Sequence, residues 1–173
     1  MPSNTYVLIS SVTVGAGGSS SISFNSIPQT YTDLCLLTSI SSNRGSVGEN
    51  ARVTFNGSTS GYATRRIYGT GSSAASDTDS GITTSINFGS VGDGFQANTF
   101  GNGILYIPNY AGSNNKSVSS DGVAEANQTT EYMALNASLW SNTSAITSIT
   151  LTPQVGSLWI QYSTAYLYGI KNS

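Results

Sequence analysis

What most constrains this chain is the grain of its apolar residues. They come in short runs, often alternating with polar neighbours, and nowhere do they repeat at helical spacing over several turns. Such windows cover 6–14, 20–24, 34–40, 51–56, 62–68, 82–88, 103–108, 116–123, 132–140, 145–152 and 158–168, each bounded by Gly, Asn, Ser or Pro. Abundant Ser, Thr and β-branched residues lower helix propensity almost throughout, and only 121–135 reads ambiguously. Many short strands divided by turns predict an all-β fold. An antiparallel β-sandwich is expected, since two sheets are needed to hide the apolar faces. The jelly roll is the preferred topology, with other Greek-key sandwiches beside it. A mass of 17.9 kDa fits a single β-sandwich domain over 1–173, large enough to need no metal or disulfide staple.

Several windows carry finer expectations. In 34–40, Leu34, Leu36 and Ile40 share one face and Cys35 and Leu37 the other, as in a strand buried on both sides. Val53 and Phe55 point inward, and Asn56-Gly57 after them suits a tight hairpin turn leading into 62–68. The segment after Gly69, rich in Gly, Ser and Asp up to Gly81, offers little to bury and predicts a long exposed loop. In 158–168, Leu158, Ile160, Tyr162, Tyr166 and Tyr168 share one face against Trp159 and Leu167, as in a central strand. Gly15-Ala-Gly-Gly18 reads as a turn.

The same composition narrows the chemistry. There is no histidine, and charged side chains make up 8% of the chain, which leaves little for acid or base catalysis at neutral pH. No catalytic, cofactor-binding or metal-binding residues are assigned, and the chain is read as a non-enzyme. Cys35, the single cysteine, behaves as a small buried hydrophobe. A net charge of −2 with six scattered Lys and Arg argues against nucleic acid, and adjacent Arg65 and Arg66 read as surface charge or an interface ion pair. No apolar window is long enough for membrane insertion, and no export signal is visible.

Asp77-Thr-Asp79 and Gly92-Asp93-Gly94 are fragments of cation loops without the full spacing, and read as solvated turns. Asp121, Glu125 and Glu131 are weighed as a carboxylate cluster, with sugar cleavage disfavoured. Asn56, Asn127, Asn136 and Asn142 match the glycosylation pattern that so polar a chain yields by chance. The ten tyrosines read first as core packing, second as rings for sugars or interfaces.

Ile27-Pro-Gln-Thr-Tyr-Thr-Asp-Leu34, Phe55-Asn-Gly57, Tyr106-Ile-Pro-Asn-Tyr110, Leu139-Trp140, Ala145-Ile-Thr-Ser-Ile-Thr-Leu151 and Ser163-Thr-Ala-Tyr-Leu-Tyr-Gly-Ile170 together resemble a family of small β-rich proteins of tailed bacteriophages. The resemblance implies a virion structural protein on the outer capsid or tail surface, and carries no catalytic residues. The first expectation is a capsid decoration or cement protein that bridges subunits of the major capsid protein. It would be a homo-oligomer, with a trimer favoured. The alternative is a tail-fibre or spike tip, or another tail component, recognising a host-surface glycan. Strand pattern from Thr5 onward, leaving no room for a fibre adaptor and shaft, favours decoration. A decoration protein should expose an apolar patch, and an adhesin should cluster aromatics on its loops.

Overall fold

Alternating apolar positions become strands only where a partner takes up the backbone hydrogen bonds. The computed structural model describes residues 5–45, 49–78, 84–91, 98–125 and 132–171. Among these are twelve strands: β1 (Tyr6–Thr13), β2 (Ile22–Phe24), β3 (Asp33–Ile40), β4 (Glu49–Phe55), β5 (Tyr62–Gly69), β6 (Ala74–Thr78), β7 (Ile86–Val91), β8 (Gly101–Ile107), β9 (Lys116–Ala124), β10 (Tyr132–Trp140), β11 (Ile149–Pro153) and β12 (Thr164–Ile170). Every pairing is antiparallel. A large sheet runs β1-β12-β3-β8-β9-β10-β5-β6, and a small one runs β2-β11-β4-β7. The fold is the predicted all-β sandwich.

The core lies between the two sheets. Leu34, Leu36 and Ile40 of β3, Leu105 and Ile107 of β8 and Leu167 of β12 meet Ile22, Phe24, Val53, Phe55, Ile86, Phe88, Ile149 and Leu151 of the small sheet. Trp140 stacks on Tyr62 with ring centres 6.0 Å apart and tilts against Phe55 at 5.5 Å. Gly103 of β8 is required here. A Cβ at that position would stand 2.7 Å from Phe88 Cζ and 2.9 Å from the Asp121 carbonyl oxygen, so only glycine lets the small sheet close.

Four expectations are corrected. Asn56 and Gly57 do turn the chain with φ of 52° and 67°, and the Ser58 amide donates to the Phe55 carbonyl at 2.9 Å. They do not make a hairpin. β4 joins the small sheet and β5 the large one, because Phe55 and Tyr62 must both reach the core, where the Tyr62 hydroxyl accepts from the Phe55 amide at 2.8 Å. The expected loop after Gly69 contains β6, which pairs along β5 from Arg65↔Thr78 to Gly69↔Ala74. An edge strand needs ladder bonds more than apolar side chains, so Ala-Ala-Ser-Asp-Thr suffices.

The expected strand over 158–168 is broken. Trp159 forms bridges to Ser19 and Ser42, a turn follows with the Ser163 amide on the Ile160 carbonyl at 3.1 Å, and β12 starts at Thr164. Tyr162 sits in that turn at φ 72°, so the shared face predicted for Leu158 to Tyr168 does not exist. From Thr164 onward the strand is central, between β1 and β3. Lastly, of the ten tyrosines only Tyr62 and Tyr110 are fully buried. Phe24, Phe55, Phe88, Trp140 and Trp159 supply most of the aromatic core instead.

Glu49 and Asn56 fix loops to this frame. The buried Glu49 carboxylate accepts at Oε1 from the amides of Asn50, Gln154 and Val155 at 3.0 to 3.1 Å. At Oε2 it accepts from the Gly156 amide at 2.7 Å and the Ser42 hydroxyl at 3.0 Å. Asn56 Oδ1 accepts from the Thr147 and Ser148 amides, and Nδ2 donates to the Ala145 carbonyl.

Candidate functional site

Side chains alternate across a strand, so the large sheet has an inner face toward the small sheet and an outer face away from it. The outer face carries Tyr6 and Leu8 of β1, Tyr166 of β12, Ile104 and Tyr106 of β8, Met133, Leu135 and Leu139 of β10, and Ile67 of β5. These nine are among the eleven exposed large apolar residues described; Val155 and Tyr162, on loops, are the others. The strand register sets them in rows. One runs Leu8, Tyr168, Cys35, Tyr106, Ser119, Ala137, Arg65, Thr78. The next runs Tyr166, Leu37, Ile104, Asp121, Leu135, Ile67, Ser76. With strands about 4.8 Å apart, the face spans roughly 34 Å.

Its two halves differ. Over β1, β12, β3 and β8 the face is tyrosine-rich: Tyr6 packs edge-on to Tyr168 at 6.3 Å, and the Tyr106 hydroxyl donates to Asp33 Oδ2 at 2.8 Å. That hydrogen bond holds the Tyr106 proton and, with some burial, pushes its pKa up. Cys35 lies in the row between Tyr106 and Tyr168 and is 6% exposed. Burial first, and the negative charge of Asp121 second, raise its thiol pKa, which removes nucleophilic character. The expected buried cysteine is therefore present, on the outer side of β3.

Over β9, β10 and β5 the usual polarity is inverted along part of the strands. Beyond the buried Tyr62, Val118 and Trp140, the inner side is polar: Thr64 bonds Ser138 at 3.0 Å, the Asn136 amide donates to Ser120 at 3.1 Å, and Arg66 pairs bidentately with Asp77 at 2.8 Å beneath Tyr68. The outer side is aliphatic. Met133, Leu135 and Ile67 are 62%, 53% and 58% exposed around two adjoining hollows of about 720 and 750 Å³. Arg65 and Asp121 are the charges on this half. Exposed apolar residues scattered singly are ordinary, whereas so many on one sheet face call for an explanation.

The other singled-out residues fall elsewhere. Arg65 and Arg66 point to opposite faces, and only Arg66 forms an ion pair among the described residues, with Asp77. Asp79, Gly92, Asp93, Gly94, Asn127 and Glu131 lie outside the described residues. Asp121 lies in β9 and Glu125 just after it, and no group of three His, Cys, Asp or Glu gathers to hold a metal among the described residues. Asn56 is exposed, with its Nδ2 donating to the Ala145 carbonyl, and Asn136 is buried, with its Nδ2 donating to Ser120. Gly15 to Gly18 is a turn, closed by the Gly18 amide on the Gly15 carbonyl at 3.0 Å. No described helix is long and apolar enough to cross a membrane. No protein-family model, curated protein or solved structure matches this chain.

Proposed function

We propose that this chain is a non-enzymatic structural protein of a bacteriophage particle, a decoration protein that docks on the outer head surface through its tyrosine-rich sheet half. The observation that carries the proposal is the grouping of Tyr6, Leu8, Tyr106 and Tyr166, all exposed, on one half of one sheet face. Together they expose nearly as much as two whole side chains, or roughly 360 Å² at about 200 Å² each, which at an apolar share of about 60% is the centre of a patch of roughly 600 Å², the low end of what one partner buries in a stable interface. An adhesin tip would instead present clustered aromatics on loops. Among the described residues Tyr162 is the one loop aromatic exposed to a similar degree.

The strand order adds a fold-level analogy. Set aside two inserted hairpins, β5-β6 and β9-β10, and the remaining eight strands place β1-β12-β3-β8 against β2-β11-β4-β7. We read this wrap as a jelly roll, an architecture shared by viral capsid proteins and lectins, which supports the class and no more. The resemblance of the sequence segments given above to small phage proteins points the same way.

Cryo-electron microscopy of particles carrying the protein tests this reading. Density on the capsid lattice, with Tyr6, Tyr106 and Tyr166 facing the shell, is the expected result. Density confined to the tail, or none at all, overturns it. Purified Tyr106→Asp protein should also fail to rebind particles stripped of the wild type.

A further inference from the structure

We infer that the aliphatic half of the outer face, over β9, β10 and β5, seats a second copy of this chain across a two-fold axis running along β10. The inference does not rest on the particle reading, because it uses different residues of the face.

Polarity inversion comes first. In β10 the side chains turned toward the small sheet include Asn136 and Ser138, each satisfied by a neighbouring strand, while Met133, Leu135 and Leu139 face outward. Apart from the buried Trp140 at its end, β10 turns its more apolar side to water, which calls for a cover, and β7 of the small sheet already occupies the other side.

The charges identify the cover. Arg65 stands opposite Ala137 on one side of β10, and Asp121 stands opposite Leu135 on the other. Both are exposed, and neither has an ion-pair partner among the described residues. A two-fold axis along β10 exchanges the positions of β9 and β5, so Arg65 of each copy comes diagonal to Asp121 of the other. Their offset is two residues, about 7 Å along the strand, within the reach of an arginine side chain across sheets about 10 Å apart. One positive and one negative group placed on either side of a central strand is the self-complementary pattern an isologous interface needs. A partner of different sequence imposes no such symmetry.

Area agrees. Ile67, Met133, Leu135 and Leu139, with Ile104 of β8 at the border beside Asp121, expose roughly 450 Å² between them, and at an apolar share of about 60% the patch reaches roughly 750 Å² per protomer, the standard size for a stable pair. The arrangement is two-fold, in place of the trimer that the sequence resemblance favours. It leaves Tyr6, Leu8, Tyr106 and Tyr166 free.

Sedimentation velocity of the full chain at micromolar concentration is the test. The expected mass is twice 17.9 kDa. Leu135→Asp should be a monomer with an unchanged circular dichroism spectrum, and Tyr106→Asp should stay dimeric. Arg65→Asp and Asp121→Arg should each weaken the dimer at least tenfold, and the double reversal should restore it. A wild-type monomer or trimer overturns the inference, as does a dimer indifferent to Leu135→Asp or a double reversal that fails to rescue. If dimerisation fails while particle binding survives, the aliphatic half alone has been misread.

Discussion

Replacing Glu49 by Gln keeps the shape of a buried side chain and reverses half of its hydrogen bonding. Both carboxylate oxygens act only as acceptors, for four backbone amides and the Ser42 hydroxyl, with distances of 2.7 to 3.1 Å. An amide nitrogen at Oε2 would face the Gly156 N–H donor to donor. At Oε1 it would face three such donors, so rotation of the amide gives no relief. The variant leaves at least one buried amide unsatisfied, at about 1–3 kcal/mol, and turns the remaining charge-assisted bonds into neutral ones at roughly half their strength. Relief of the cost of burying a carboxylate offsets part of this, leaving a loss of about 3 kcal/mol. For a domain of this size that lowers the melting temperature by about 6–12 °C. Thermal unfolding followed by circular dichroism reads the shift, and urea titration should show a lower midpoint at the same slope. A melting temperature within about 2 °C of wild type would refute the argument that this carboxylate ties 154–156 to β4.

Two further outcomes follow from the core and its phenols. Gly103→Ala forces a methyl group against Phe88 and the Asp121 carbonyl, and should cost about 1–3 kcal/mol in urea unfolding; an unchanged midpoint would show that β7 is not seated over β8 as described. Burial raises the pKa of Tyr62 and Tyr110, and the Asp33 hydrogen bond raises that of Tyr106. Unfolded phenols lose their protons first, near pH 10, so stability is full below that value and falls as pH rises through it toward the folded values. Phenolate absorbance should show these three ionising late, together with loss of the near-ultraviolet signal. A single transition of all ten tyrosines in a still-native protein would contradict this assignment.

Part of this protein is determined by sequence alone. Period-two alternation and frequent turn residues specify strands at β3, β4, β8, β9 and β10 close to where they form, and the same pattern disfavours helices outside the ambiguous 121–135. The grouping of Leu34, Leu36 and Ile40 on one face of β3 is legible, though which face turns inward is not. Local geometry is legible too: Asn56-Gly57 turns the chain because both residues tolerate positive φ, even though the strands it joins part company.

Tertiary structure decided the rest. Alternation divides a strand into two faces without saying which is buried. In β10 apolarity alone would turn Met133, Leu135 and Leu139 inward, yet Trp140 and the bonded Asn136 and Ser138 take that side. Trp140 anchors the register through Tyr62 and Phe55, and a one-residue slip would expel it. β6 exists because β5 offers an open ladder, information that Ala-Ala-Ser-Asp-Thr does not contain. The apolar outer face is thus a property of the assembled sheet: five strands contribute one to three residues each, and only pairing in register makes them a surface.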